Sequence, residues 1–243
     1  MSSCPCRQDD CLLCESWLFS GLTGTQACQV HGMIQHKSYA PKSVLFYEGS
    51  TTNHLYLLKS GYVKLTAALP DGRNQGLRFA SSWQFIGLEA LGEPHYSYTA
   101  ETITPIDACM IRHKDMLKLL EQNPQLALRV INTLNRELQQ ANAMIRNLGM
   151  MSSTERVAAF LLSILHAEDE DVNEFLLPLT RTDMAEMLGL TLETVSRVLT
   201  RLTRDKIIWM QPSGRMLRII DKNRLEELGG DIAQEIWPRV SRG

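Results

Sequence analysis

The stretch RTDMAEMLGLTLETVSRVLTRL, residues 181–202, constrains this chain more than any other. Two helical patterns flank Leu188-Gly189-Leu190. In the first, Met184 and Leu188 are apolar and four residues apart, with small Ala185 between them where two helices must cross closely. In the second, Val195, Val198, Leu199 and Leu202 form one apolar stripe. Gly189 sits where a tight turn needs a residue tolerant of positive φ. This pattern predicts a helix-turn-helix.

The outward face of the second helix then carries the chemistry. Thr191 suits its N-cap and Thr194 follows three later. Glu193, Ser196 and Arg197, at i, i+3 and i+4, align over one groove. Arg can bond guanine O6 and N7 bidentately, and Glu can accept from cytosine N4. Arg201 and Arg204 lie further along and suit phosphates, as do Thr180, Arg181 and Thr182 at the first helix's start, with Thr191 and Thr194 at the second's. The segment KIIWMQPSGRMLRIID predicts a hairpin around Pro212-Ser213-Gly214, a wing behind the helices. From Thr180 to Ile220 there are seven Arg or Lys and four Asp or Glu, whereas the whole chain has a formal net charge of −2. That local excess of positive charge points to an anionic partner, double-stranded DNA.

Upstream the texture changes. From Ser43 to about Arg112, short β-rich runs such as HLYLLKSGYVKLTAAL are separated by Gly49, Gly61 and Pro70-Asp71-Gly72, the spacing of a small antiparallel β-roll. The segment from Trp17 to Ala40 predicts a short amphipathic helix and a loop. Pro124 suits a helix first turn. Beyond it Ile131, Leu134, Leu138, Ala141, Ile145 and Leu148 follow 3-4-3-4-3 spacing, the seam of a two-helix coil, and predict a homodimer. Next, SSTERVAAFLLSILHAE begins a helix on which Ser153 and Arg156 make only a partial cap, and EDEDVNEF is an acidic loop. The fold class is therefore α+β, with a cupin-like antiparallel β-roll at 23–122, a dimerisation helix at 123–150 and a winged helix-turn-helix at 151–243. Residues 1–22 form a separate cysteine-rich segment.

Four of the six cysteines, Cys4, Cys6, Cys11 and Cys14, crowd that segment. No run approaches the roughly eighteen apolar residues of a membrane span, and the start lacks a signal-peptide pattern. The expected compartment is the cytoplasm, with no membrane partner, where clustered thiols point to metal or redox chemistry. Structural zinc, a thiol–disulfide switch and unliganded thiols are all open on the residues alone. Cys28 fits a small buried core residue. His31, His36, His95 and His113 share no spacing motif. No Gly-rich phosphate loop, Ser/His/Asp spacing or HExxH pattern points to an enzyme.

A β-roll, a long helix and a winged helix-turn-helix, in that order, resemble the CRP/FNR family of bacterial transcription regulators over nearly the whole chain. LGLTLETVSRVLTRL is similar to the recognition helix of the FNR group, whose E-x-x-S-R is Glu193, Ser196 and Arg197 here. The resemblance implies palindromic TTGAT-type half-sites and RNA polymerase as a further partner. It also implies a 4Fe-4S oxygen sensor, with Cys109 as the distant ligand and Cys11, Cys14 and either Cys6 or Cys4 as the others. The C-x-C-x4-C-x2-C order departs from the familiar FNR spacing, and Cys6 is favoured. Cyclic-nucleotide members hold ribose with Glu and phosphate with Arg-Ser. Leu88 and Tyr96-Ser97 stand at those places here, so no cyclic nucleotide is expected.

Overall fold

The computed structural model describes residues 18–19, 24–70, 74–167, 174–211 and 216–229, with the side chains of 24–25, 146–148 and 166–167 excepted. Two compact units divide the chain. Among the described residues, one holds those up to Ala68 together with Arg78–Asn135, and the other holds Leu69–Leu77 and those from Arg136 on.

The first unit is the β-roll. Its strands are β1 (Ile34–Tyr39), β2 (Val44–Phe46), β3 (His54–Ser60), β4 (Val63–Ala68), β5 (Asn74–Ala80), β6 (Phe85–Ile86), β7 (Thr99–Thr102) and β8 (Ile106–Arg112). They form two four-stranded sheets, ordered β1-β8-β3-β6 and β2-β7-β4-β5. Strand β8 is central and buries both faces. Ile106, Ala108 and Met110 point into the roll, beside Tyr56, Leu58 and Leu65. Cys109 and Ile111 point to the other side, beside Leu55 and Leu57. Period-two alternation thus feeds two cores at once, which is why IDACMIR and HLYLLKS read as almost continuous apolar runs.

Helices cover the outer face of that sheet. They are α1 (Gly24–Met33), α2 (His113–Gln122) and the first turns of α3 (Pro124–Met150). Val30, Met116, Leu119, Leu126 and Val130 share one core with Cys109, and so do Leu18 and Phe19. Pro124 opens α3, as its fixed φ favours. Two features differ from the sequence expectation. IQHKSY is strand β1, paired with β8, where a loop was expected. Helix α2 is an addition to the expected elements.

The second unit contains α4 (Ser153–Ala167), β9 (Glu174–Leu176), α5 (Arg181–Leu188), α6 (Leu192–Arg204), β10 (Ile208–Met210), β11 (Met216–Ile219) and α7 (Lys222–Gly229). The cap of α4 is Ser152, not Ser153. Its backbone N–H donates to Glu155 Oε2 at 2.6 Å, and the Glu155 N–H donates back to its hydroxyl at 3.4 Å. Hydrogen bonds from the Ser152 backbone N–H and from its hydroxyl hold the Glu155 carboxyl below its ordinary pKa. The wing pairs Ile208 with Ile219 and Met210 with Leu217. Its turn residues lie outside the described ones. A third strand, β9, adds to β11 through Phe175 and Leu217. The last residues of the expected acidic loop are therefore sheet, and Glu174 accepts from Arg218 Nε at 2.7 Å.

Candidate nucleic-acid interface and sensory thiol

Local capping fixes the helix-turn-helix. The Thr180 hydroxyl accepts from the Asp183 N–H at 3.1 Å, and Asp183 Oδ2 accepts from the Thr180 N–H at 3.0 Å, a reciprocal capping box for α5. Gly189 ends α5 at φ 60°, ψ 40°, left-handed as the turn requires. Thr191 then caps α6 by accepting from the Thr194 N–H at 3.2 Å. Val195, Val198, Leu199 and Leu202 are buried, so the opposite face of α6 is fixed in orientation.

On that opposite face Glu193, Arg197, Thr200, Arg201 and Arg204 are exposed and Ser196 is half-buried. Glu193 is held below the ordinary carboxylate pKa by its own backbone N–H and by the Thr191 hydroxyl. It is therefore an ionised acceptor at neutral pH. Arg181 donates to the Ser196 hydroxyl at 3.4 Å, linking the start of α5 to the recognition face. Thr182 is exposed beside it. Arg201 donates from Nη2 to the hydroxyl of Thr154, in the first turn of α4. A groove of about 590 Å³ runs here, lined by Ser153, Thr154, Ser196, Arg197, Thr200, Arg201 and Arg204. Ser153, Thr154 and Thr200 were not among the expected site residues. Extending the i, i+3, i+7 rule from Glu193 reaches Thr200; Ser153 and Thr154 come from another helix, which spacing within α6 cannot reveal.

The expected cluster ligands are only partly described. Cys4, Cys6, Cys11 and Cys14 lie outside the described residues. Cys109 is buried, 1% exposed. Its Sγ lies 3.2 Å from His36 Nδ1, and the two residues are register partners on β8 and β1. Buried beside apolar side chains and with His36 in reach, this sulfur has the chemistry of a thiolate ligand. Among the described residues no three metal-ligating side chains come together. Cys28 corrects an expectation: it is half-buried rather than a core residue, and it is disulfide-bonded.

Around Tyr96 the roll packs aromatic rings. Tyr96 stacks on Phe46 at 3.7 Å between centroids. Its hydroxyl donates to the His54 carbonyl at 2.6 Å and accepts from the His54 N–H at 2.9 Å. Leu88 is fully buried. Tyr98, also buried, accepts from the Gly87 N–H at 3.1 Å, and burial pushes its phenol pKa up.

Along α3, Ile131, Leu138 and Ile145 are 51%, 60% and 69% exposed, an open apolar row at seven-residue intervals. Ala141 is exposed as well. Leu134 instead packs partly on the sensory core, and the Leu148 side chain lies outside the described residues. No helix among the described residues is long and apolar enough to cross a membrane.

Known proteins carry the same arrangement. Residues 155–228 match the Crp-like helix-turn-helix domain, and residues 36–123 match the cyclic nucleotide-binding domain. The transcriptional activatory protein AadR of Rhodopseudomonas palustris is 38% identical over 81% of this chain and 82% of its own length. The nitrogen fixation regulation protein FixK of Bradyrhizobium diazoefficiens is 32% identical over 90% of this chain and 92% of its own. The structure of FixK2 from Bradyrhizobium japonicum superposes with a TM-score of 0.75 at 28% identity, covering 81% of this chain and 98% of that one. The chain belongs to the CRP/FNR family of DNA-binding transcription regulators.

Proposed function

We propose that this regulator works as a homodimer of the FNR type. It senses oxygen or redox state through a 4Fe-4S cluster and reads palindromic TTGAT-type half-sites. The observation that carries the sensory reading is the place of Cys109. Its thiol is buried in the same core as Leu18 and Phe19, which follow the leading cysteines, and as Leu126 and Val130 at the start of α3. Cys109 with Cys11, Cys14 and Cys6 (or Cys4) would hold the group. When bound, it supplies an oxygen-labile crosslink among four thiolates. The chain's own residues do the rest. His36 Nδ1 lies within hydrogen-bond reach of the Cys109 sulfur, and Leu18, Phe19 and Phe85 share its buried core. Release of the thiolates would loosen the leading segment from this core and bias α3, and with it the distance between two α6 helices.

On DNA, α6 enters the major groove. Arg197 and Glu193 address base edges, with Ser196 between them held by Arg181. Arg201, Arg204 and the first turn of α4 face phosphates. A two-fold dimer requires two half-sites about 34 Å apart, one helical turn.

Iron and sulfide analysis with visible absorption, on protein purified without air, tests the sensory reading. Coloured wild-type protein and a colourless Cys109→Ser variant are expected. A colourless wild type holding stoichiometric zinc overturns it. The disulfide at Cys28 favours a second reading, a thiol–disulfide switch. Cys28→Ser should leave oxygen response intact on the cluster reading and abolish it on the switch reading.

A further inference from the structure

We infer that Arg129 is the positioning residue that fastens the leading cysteine segment to the dimerisation helix, an inference that rests on the sensory reading above. Arg129 Nη1 donates to the Leu18 carbonyl at 3.2 Å, although the two residues are 111 apart in the chain. Leu18 is 0% exposed and Phe19 3%, so that carbonyl sits where water does not supply a partner. Cys14 is four residues before Leu18.

The other end of the contact is equally placed. Arg129 lies on α3 beside Val130, which shares a core with Cys109, and two residues before the exposed Ile131. Its own carbonyl accepts from the Thr133 hydroxyl at 2.8 Å. One side chain therefore touches the segment that carries the leading thiols, while its backbone belongs to the turn where the seam begins. Leu18 and Phe19 act as the anchor, packed over Cys109 and against Phe85, whose ring meets Phe19 edge-on at 6.3 Å. The guanidinium acts as the tie. A bond from a charged donor to a buried carbonyl is among the stronger ones, and its loss leaves that carbonyl unsatisfied. Any change in how the thiols are held thus reaches α3 through a short path: segment, Leu18 carbonyl, Arg129, seam.

Arg129→Met keeps the apolar stem and removes the donors, while Arg129→Lys keeps one donor. Each is compared with wild type in two assays. The first is the ratio of DNA Kd values, iron-free over iron-loaded, on a palindromic duplex without air. The second is the rate at which a maleimide labels Cys109 in the iron-free chain. Arg129→Met should take up as much iron as wild type, lose about tenfold of the Kd ratio, and label Cys109 about tenfold faster, with Arg129→Lys recovering part of both. An Arg129→Met protein that holds iron and keeps the wild-type Kd ratio overturns the inference. If wild type itself takes up no iron, the cluster reading fails. The tie is then decided by labelling alone, and an unchanged rate overturns it too.

Discussion

Arg197 is exposed, whereas its neighbours Val195 and Val198 on α6 are buried and fix the helix's rotation. That makes it a cleaner probe of DNA reading than the threonines around it. Thr180 and Thr191 first serve as N-caps, so truncating either costs about 1 kcal/mol of helix stability whatever it does to DNA. Arg197→Ala should instead lower affinity by about 1–3 kcal/mol, and only for sites carrying the cognate base pair. Fluorescence anisotropy across single base-pair substitutions in the half-site checks this. An equal loss on every sequence would mean a phosphate contact and would remove Arg197 from base reading. Glu193 is held ionised by Thr191 and its own N–H, so its acceptor role does not vary near neutral pH.

Between elements, α7 approaches α4 closely. A Cβ on Gly229 would lie 2.9 Å from the backbone nitrogen of Ala159 and 2.7 Å from Leu162 Cδ1. Helix propensity alone favours Ala over Gly by up to about 1 kcal/mol. Overpacking against backbone costs about 1–3 kcal/mol and opposes it. The clash should win, so Gly229→Ala is expected to lower the urea midpoint. A raised midpoint would show that α7 slides freely on α4. The same distinction separates what sequence revealed from what it did not. The turn at Gly189 and the cap at Thr191 are local devices, each complete within four residues, and they stood out in the chain; the capping box at Thr180 did not, since Thr180 reads in the sequence as a phosphate contact. Strand β1 did not, because IQHKSY is exposed for most of its length and gains strand form only from β8. Strand β9 depends likewise on β11, which pairs Leu217 with Phe175. His36 beside Cys109 and Arg129 on Leu18 join residues 73 and 111 apart, and nothing in either neighbourhood advertises the other.

At the scale of the molecule, the open row on α3 is what remains to be covered. Ile131, Leu138 and Ile145 keep seven-residue spacing, and Leu128 extends the row by one turn at 53% exposed. Leu134, four residues before Leu138, leans instead into the sensory core. The stripe is therefore narrow and divided between two tasks, its buried edge holding the first turns of α3 to the β-roll and its open edge available to a second copy. Covering a Leu138 layer on two chains is worth about 3–6 kcal/mol by area, since each leucine contributes roughly half of that. Leu138→Glu removes the burial and sets two like charges face to face across the two-fold axis. The dimer Kd should rise by about two to four orders of magnitude, with the change read by sedimentation at micromolar protein. Palindrome binding should fall with it, while the helix content and the fold of α5 and α6 stay as they are, because α3 contributes nothing to their capping. A Leu138→Glu chain that still sediments as a dimer would place the two-fold contact on some other face, and the coupling from Cys109 through Arg129 to the spacing of the two α6 helices would lose its route.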